Sequence, residues 1–195
     1  MPDSLDILVA ELTSGDDVRA ETAAPALAAL GDTALWRLRE LIAPDSRDAD
    51  ARWWAARTLA LIDSPGAIEL LTSLLDHPDA ELRACAIAGL GERRAADAIP
   101  QLIAALADPS SYLARLAGDA LVRIGKPAAP DLIRALQESA SQQTRIHAAR
   151  ALAFISAPES IPALFRALED ESSLVQYWAD EGLDRLGLGM LYFNV

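Results

Sequence analysis

The sequence holds one cysteine, one lysine and two histidines in 195 residues, and aromatic residues make up only 5% of it. With Cys85 alone, no internal disulfide can form. No apolar run approaches the roughly 18 residues that a membrane-spanning helix needs, so no membrane association is expected. The opening "MPDSLDILVAEL" carries acidic residues and no basic stretch, which reads as no signal peptide and a cytoplasmic protein. Positive charge is also short: 17 Lys and Arg face 29 Asp and Glu, a formal net charge of −12. That balance opposes binding to phosphate backbones, and no nucleic-acid partner is expected.

Signs of chemistry are equally sparse. There is no phosphate-binding loop, no glycine-rich dinucleotide turn and no serine nucleophile elbow. His77 sits in the turn "DHPD" and His147 lies in a mostly apolar stretch, with no carboxylate spacing that would complete a metal site. Carboxylates spread over helix faces read as solubilising groups. No catalytic residue, metal or cofactor is expected.

What the sequence does have is a repeat. Ala recurs at 23, 55, 86, 117, 148 and 179, and Leu four residues later each time, at 27, 59, 90, 121, 152 and 183. The Leu spacing is 32 once and 31 four times. Three residues further on stand Leu30, Ile62, Arg93, Ile124, Ile155 and Leu186, with Arg93 the one break. These offsets share one helical face. Between them lie segments such as "AIELLTSLLD" and "SIPALFRALED", apolar at i, i+3, i+4 and i+7. Pro100, Pro130 and Pro162 fall near their starts, where a missing N–H costs nothing. "HPD", "DPSS" and "DESS" supply Asp and Ser as N-caps for the second helix of each pair. The spacing predicts six helical hairpins, one repeat domain over 1–195.

The spacing Arg52, Ala55, Ala56, Leu59, Ile62, with its copy Arg145, Ala148, Ala149, Leu152, Ile155, resembles HEAT repeats in their short bacterial form, named after phycobilisome lyases. The resemblance covers essentially the whole chain. It implies an all-α, right-handed α-solenoid whose second helices line the concave surface. HEAT-like deoxyhypusine hydroxylases hold a di-iron centre with repeated His-Glu pairs. Here His77 is followed by Pro78 and His147 by Ala148, so that motif is absent.

Within "RWWAARTLALID" two tryptophans stand side by side, and helix neighbours point about 100° apart. The Trp54 column reads Thr22, Trp54, Cys85, Leu116, His147, Trp178, mostly apolar and therefore bordering the core. The Trp53 column reads Glu21, Trp53, Ala84, Arg115, Ile146, Tyr177. One turn on come Pro25, Arg57, Ala88, Asp119, Arg150 and Glu181. These mixed columns form the outer face of the second helices. Trp53, Arg57, Ala84, Ala88, Arg115, Asp119, Arg150, Tyr177 and Glu181 are the candidate partner-binding residues, because rigid aromatics among arginines mark recognition surfaces. Two readings stand for the charged members. Arg115, Asp119, Arg150 and Glu181 alternate in sign and can form a salt-bridge ladder. Alternatively, Ala84 and Ala88 leave a gap between Trp53 with Arg57 and Arg115, which suits a carboxylate-bearing ligand.

The expected function is a non-enzymatic protein-binding scaffold with another protein or peptide, an acidic one in the second reading, as partner. The resemblance implies an alternative: an accessory subunit of bilin–protein lyase type that handles an open-chain tetrapyrrole. Gly187 should end the last helix. The apolar tail from Leu188 to Val195 is expected to fold back as a cap, or else to dock on a second copy as a dimer contact.

Overall fold

A computed structural model describes residues 4–43 and 48–188. Among these residues there are twelve α-helices and no strand. They pair as the 31-residue period requires. The pairs are α1 (Ser4–Leu12) with α2 (Asp17–Ala28), α3 (Asp32–Leu41) with α4 (Ala49–Leu61), and α5 (Pro65–Ser73) with α6 (Ala80–Glu92). Then come α7 (Ile99–Ala105) with α8 (Ser111–Ile124), α9 (Ala129–Glu138) with α10 (Gln142–Ile155), and α11 (Ile161–Ala167) with α12 (Ser173–Arg185). The chain divides into two compact units, 1–93 and 94–195, each holding three of these hairpins.

The repeated columns are the cores of both units. In the first, Ala55, Leu59, Ala86 and Leu90 are completely buried; in the second, so are Ala117, Leu121, Ala148, Leu152, Ala179 and Leu183. Successive second helices pack side by side, α2 on α4 on α6 in one unit and α8 on α10 on α12 in the other. One hairpin has too little apolar surface to hold itself, so stacking is what stabilises each pair.

Local signals set the helix ends. Asp16, Asp48, Asp79, Ser110 and Ser141 accept hydrogen bonds from the first-turn N–H groups of their helices. Pro100, Pro130 and Pro162 lie in the first turns of α7, α9 and α11. Gly187 takes a left-handed conformation, φ 81°, and donates to the Asp184 carbonyl, while Leu188 N–H donates to that of Leu183. This double bond pattern closes α12 as anticipated. The expected cap or dimer contact falls on 189–195, outside the described residues.

Arg93, the break in the apolar column, has a task of its own. Its Nε donates to the Ala60 carbonyl at 2.9 Å, near the C-terminal end of α4, where carbonyls lack helical partners. Gly89 lets α6 lie close against α4. A Cβ there would come within 2.7 Å of the Ala60 Cβ and 3.2 Å of its Cα. Gly89→Ala is therefore expected to destabilise the first unit by about 1–2 kcal/mol, because overpacking outweighs the helix propensity gained. A denaturation midpoint at or above wild type would show that the helices yield instead.

Candidate recognition surface

In the first unit, the twin tryptophans part company. Trp54 is 7% exposed and packs into the core; Trp53 is half-buried and stands edge-on to it, centroids 4.9 Å apart at 83°. Residue neighbours on one helix turn take this geometry because the rings prefer an edge over a face. Arg57, one turn on, lays its guanidinium 5.2 Å from both ring centroids. Its ion-pair partner is Glu21, one repeat earlier on α2, at 3.4 Å. The sequence columns gave Arg57 no partner, and the structure supplies this one from the neighbouring column. Ala84 and Ala88 are half-buried on α6 beside it. Cys85 between them is also half-buried, and burial raises its thiol above the ordinary range, so it is no reactive thiolate.

The second unit carries a comparable arrangement of its own. Tyr177 and Trp178 repeat the side-by-side aromatics, 5.1 Å apart at 75°. Tyr177 is 57% exposed and Trp178 half-buried. Phe154, 40% exposed, lies 5.9 Å from Trp178. Arg150 sits over Phe154 and Trp178 at 5.2 and 5.8 Å, and Arg185 over Phe154 at 4.5 Å. Part of the salt-bridge ladder forms: Arg150 pairs with Asp119 at 2.7 Å, and Arg115 reaches the same carboxylate at 3.5 Å. Glu181 turns instead to Arg185, 2.7 Å away on its own helix. Burial, aided by the adjacent Arg150 charge, pushes the His147 imidazole below its ordinary pKa, so it is neutral at pH 7. Its Nδ1 is buried without a hydrogen bond.

Arg57, Ala84 and Ala88 belong to the first unit and Arg115 to the second, and each contributes to the surface of its own unit. Phe154, Arg185 and Glu21 join these clusters without having been singled out in sequence. Phe154 and Arg185 lie in a third mixed column, Ala29, Leu61, Glu92, Arg123, Phe154, Arg185, one turn beyond that of Arg57. Reading three columns at four-residue steps would have found them. Among the described residues, no group of three or more His, Cys, Asp or Glu is placed to hold a metal ion, and no helix is long and apolar enough to cross a membrane.

The HEAT repeats family model matches residues 5–84, 69–140 and 129–188. A phycobilisome maturation protein of Synechococcus elongatus is 35% identical over 119 residues, which are 60% of this chain and 57% of that relative. The match thus spans little more than half the relative's length. Among solved structures, the complex of CpcE and CpcF of phycocyanin lyase from Nostoc sp. PCC7120 superposes with a TM-score of 0.57 at 23% identity, over 76% of this chain and 97% of that one. An engineered protein superposes with a TM-score of 0.53 at 24% identity, over 96% and 98%. At these identities the likeness shows the fold alone.

Proposed function

We propose, from the premise that this chain belongs to the HEAT repeat family, that it is a non-enzymatic binding protein in the maturation of a phycobilisome component. Its second-helix faces engage another protein. One observation carries this reading: the second unit leaves Tyr177 and Phe154 in water beside stacked arginines, in a chain with few aromatics to spend. The phycobilisome maturation relative and the phycocyanin lyase neighbour make a phycocyanin subunit the partner to test.

The immobilised protein is expected to retain purified phycocyanin subunits, with or without their bilin. The double substitution Phe154→Ala, Tyr177→Ala is expected to weaken retention about tenfold, as for truncated interface anchors. The contacts of Phe154 with Trp178, Arg150 and Arg185 put the accompanying loss of stability at about 1 kcal/mol, which leaves the chain folded for the comparison. Absence of retention, or retention untouched by the double substitution, would overturn the reading.

The stacking of Arg150 and Arg185 over Phe154 also favours a second reading, handling of an open-chain tetrapyrrole. A flat ring system with carboxylates can use the same aromatic face and the same guanidinium donors. A bilin mixed with the protein would then show a sharpened, red-shifted absorbance band; an unchanged spectrum removes this reading and leaves the first.

A further inference from the structure

Arg57 is as weakly paired as Arg115, whose contact with Asp119 is 3.5 Å, but it is also packed against two tryptophan rings. We propose that Arg57 reads a carboxylate side chain of the partner, and that Glu21 holds this place in the free protein. The inference rests on the binding role above and assigns the chemistry of one contact within it.

The guanidinium is 46% exposed, yet it is packed over Trp53 and Trp54 at 5.2 Å from each ring. Contact with two rings restricts the guanidinium, so less freedom is lost when a carboxylate accepts from it. Among the described residues its one ion-pair partner is Glu21. That contact runs through a single nitrogen at 3.4 Å to a side chain that is 70% exposed. Arg150 and Arg185, by contrast, hold their carboxylates at 2.7 Å. A long single contact on an exposed carboxylate contributes little and is readily displaced. The neighbouring helix α6 presents Ala84 and Ala88, whose methyl groups cannot compete for the fork. The formal charge of −12 repels acidic molecules at long range, so a carboxylate that binds must do so through a made-to-fit contact such as this one.

The test follows indole N–H signals of the full-length chain by NMR during titration with a capped tetraglutamate peptide, with capped tetraglutamine as control. Trp→Phe variants assign the four indoles. The Trp53 and Trp54 signals are expected to move with tetraglutamate and not with tetraglutamine. Glu21→Gln is expected to lower the half-saturating concentration about threefold, the worth of an exposed ion pair. Arg57→Lys, which keeps the charge and loses the fork, should raise it about tenfold. A wild-type chemical-denaturation midpoint of each variant verifies that the first unit is folded. Equal responses to the two peptides, no tightening in Glu21→Gln, or no weakening in Arg57→Lys would each overturn the proposal. If phycocyanin retention persists while these arms fail, the carboxylate assignment falls alone. If retention fails while they hold, the assignment stands and the partner is another acidic protein.

Discussion

Trp54→Ala is expected to cost the first unit about 3–5 kcal/mol, the usual penalty for truncating a buried aromatic. The ring is 7% exposed, on a helix whose neighbouring Ala55 and Leu59 are fully buried, and closely packed helices collapse little into the space a removed ring leaves. Trp53→Ala is expected to cost about 1 kcal/mol, the edge-on ring contact and the guanidinium stack being what it loses. Chemical denaturation of the two variants side by side checks this. Equal, large losses would make Trp53 a core residue and remove it from the candidate surface.

Arg145→Ala is expected to destabilise the second unit by about 3 kcal/mol, since it removes a nearly buried ion pair and leaves its partner behind. Arg145 is 11% exposed and Asp170 13%. Its Nε and Nη2 donate to the Asp170 carboxylate at 2.9 and 3.3 Å, and its Nη1 donates to the Ser139 carbonyl at 3.1 Å. One side chain thus joins the turn before α10 to the turn before α12. Burial pushes the Asp170 carboxyl up, but the bonds from Arg145 and the Ser172 N–H outweigh it and hold the group below its ordinary pKa. A carboxylate depressed in the folded state stabilises fully above its unfolded pKa, and that contribution drains away as pH falls through the folded value. Wild type should therefore lose stability below about pH 4 more steeply than Arg145→Ala does. A variant with the wild-type midpoint at pH 7, or with the same acid slope, would show that the pair carries no weight.

The repeat made the core readable because burial acts on period: every Ala and Leu of the two central columns is buried or nearly so. Arg145 was visible as a recurring type, since Arg52 and Arg83 share its column, but its work was not. That work is done on backbone atoms. Arg83 donates to the His77 and Pro78 carbonyls, and Gln176, in the same column, to that of Asp170. A column of side chains says nothing about the carbonyls of a turn six residues upstream. The geometry of the candidate surface was legible in part for a related reason. Columns align residues of equal phase, so Asp119 and Arg150 could be matched in advance. Contacts between different columns, such as Arg57 with Glu21 or Arg185 with Phe154, depend on how far each helix is rotated against its neighbour. Glu181 belongs to the same phase as Arg150, yet its side chain settles on Arg185 one turn away, because a partner on its own helix is always within reach.

The perpendicular tryptophans have a spectroscopic consequence. Two identical chromophores 4.9 Å apart couple their electronic transitions, and a skewed arrangement splits the shared band into lobes of opposite circular dichroism. That signal adds to the helical spectrum without reporting helix content, so helicity read from ellipticity alone is biased for this chain. Tyr177 and Trp178 hold a similar geometry, but their transitions differ in energy and couple more weakly. A split band is therefore expected from residues 53 and 54. It gives the first unit an optical marker of its own folding, free of any attached dye.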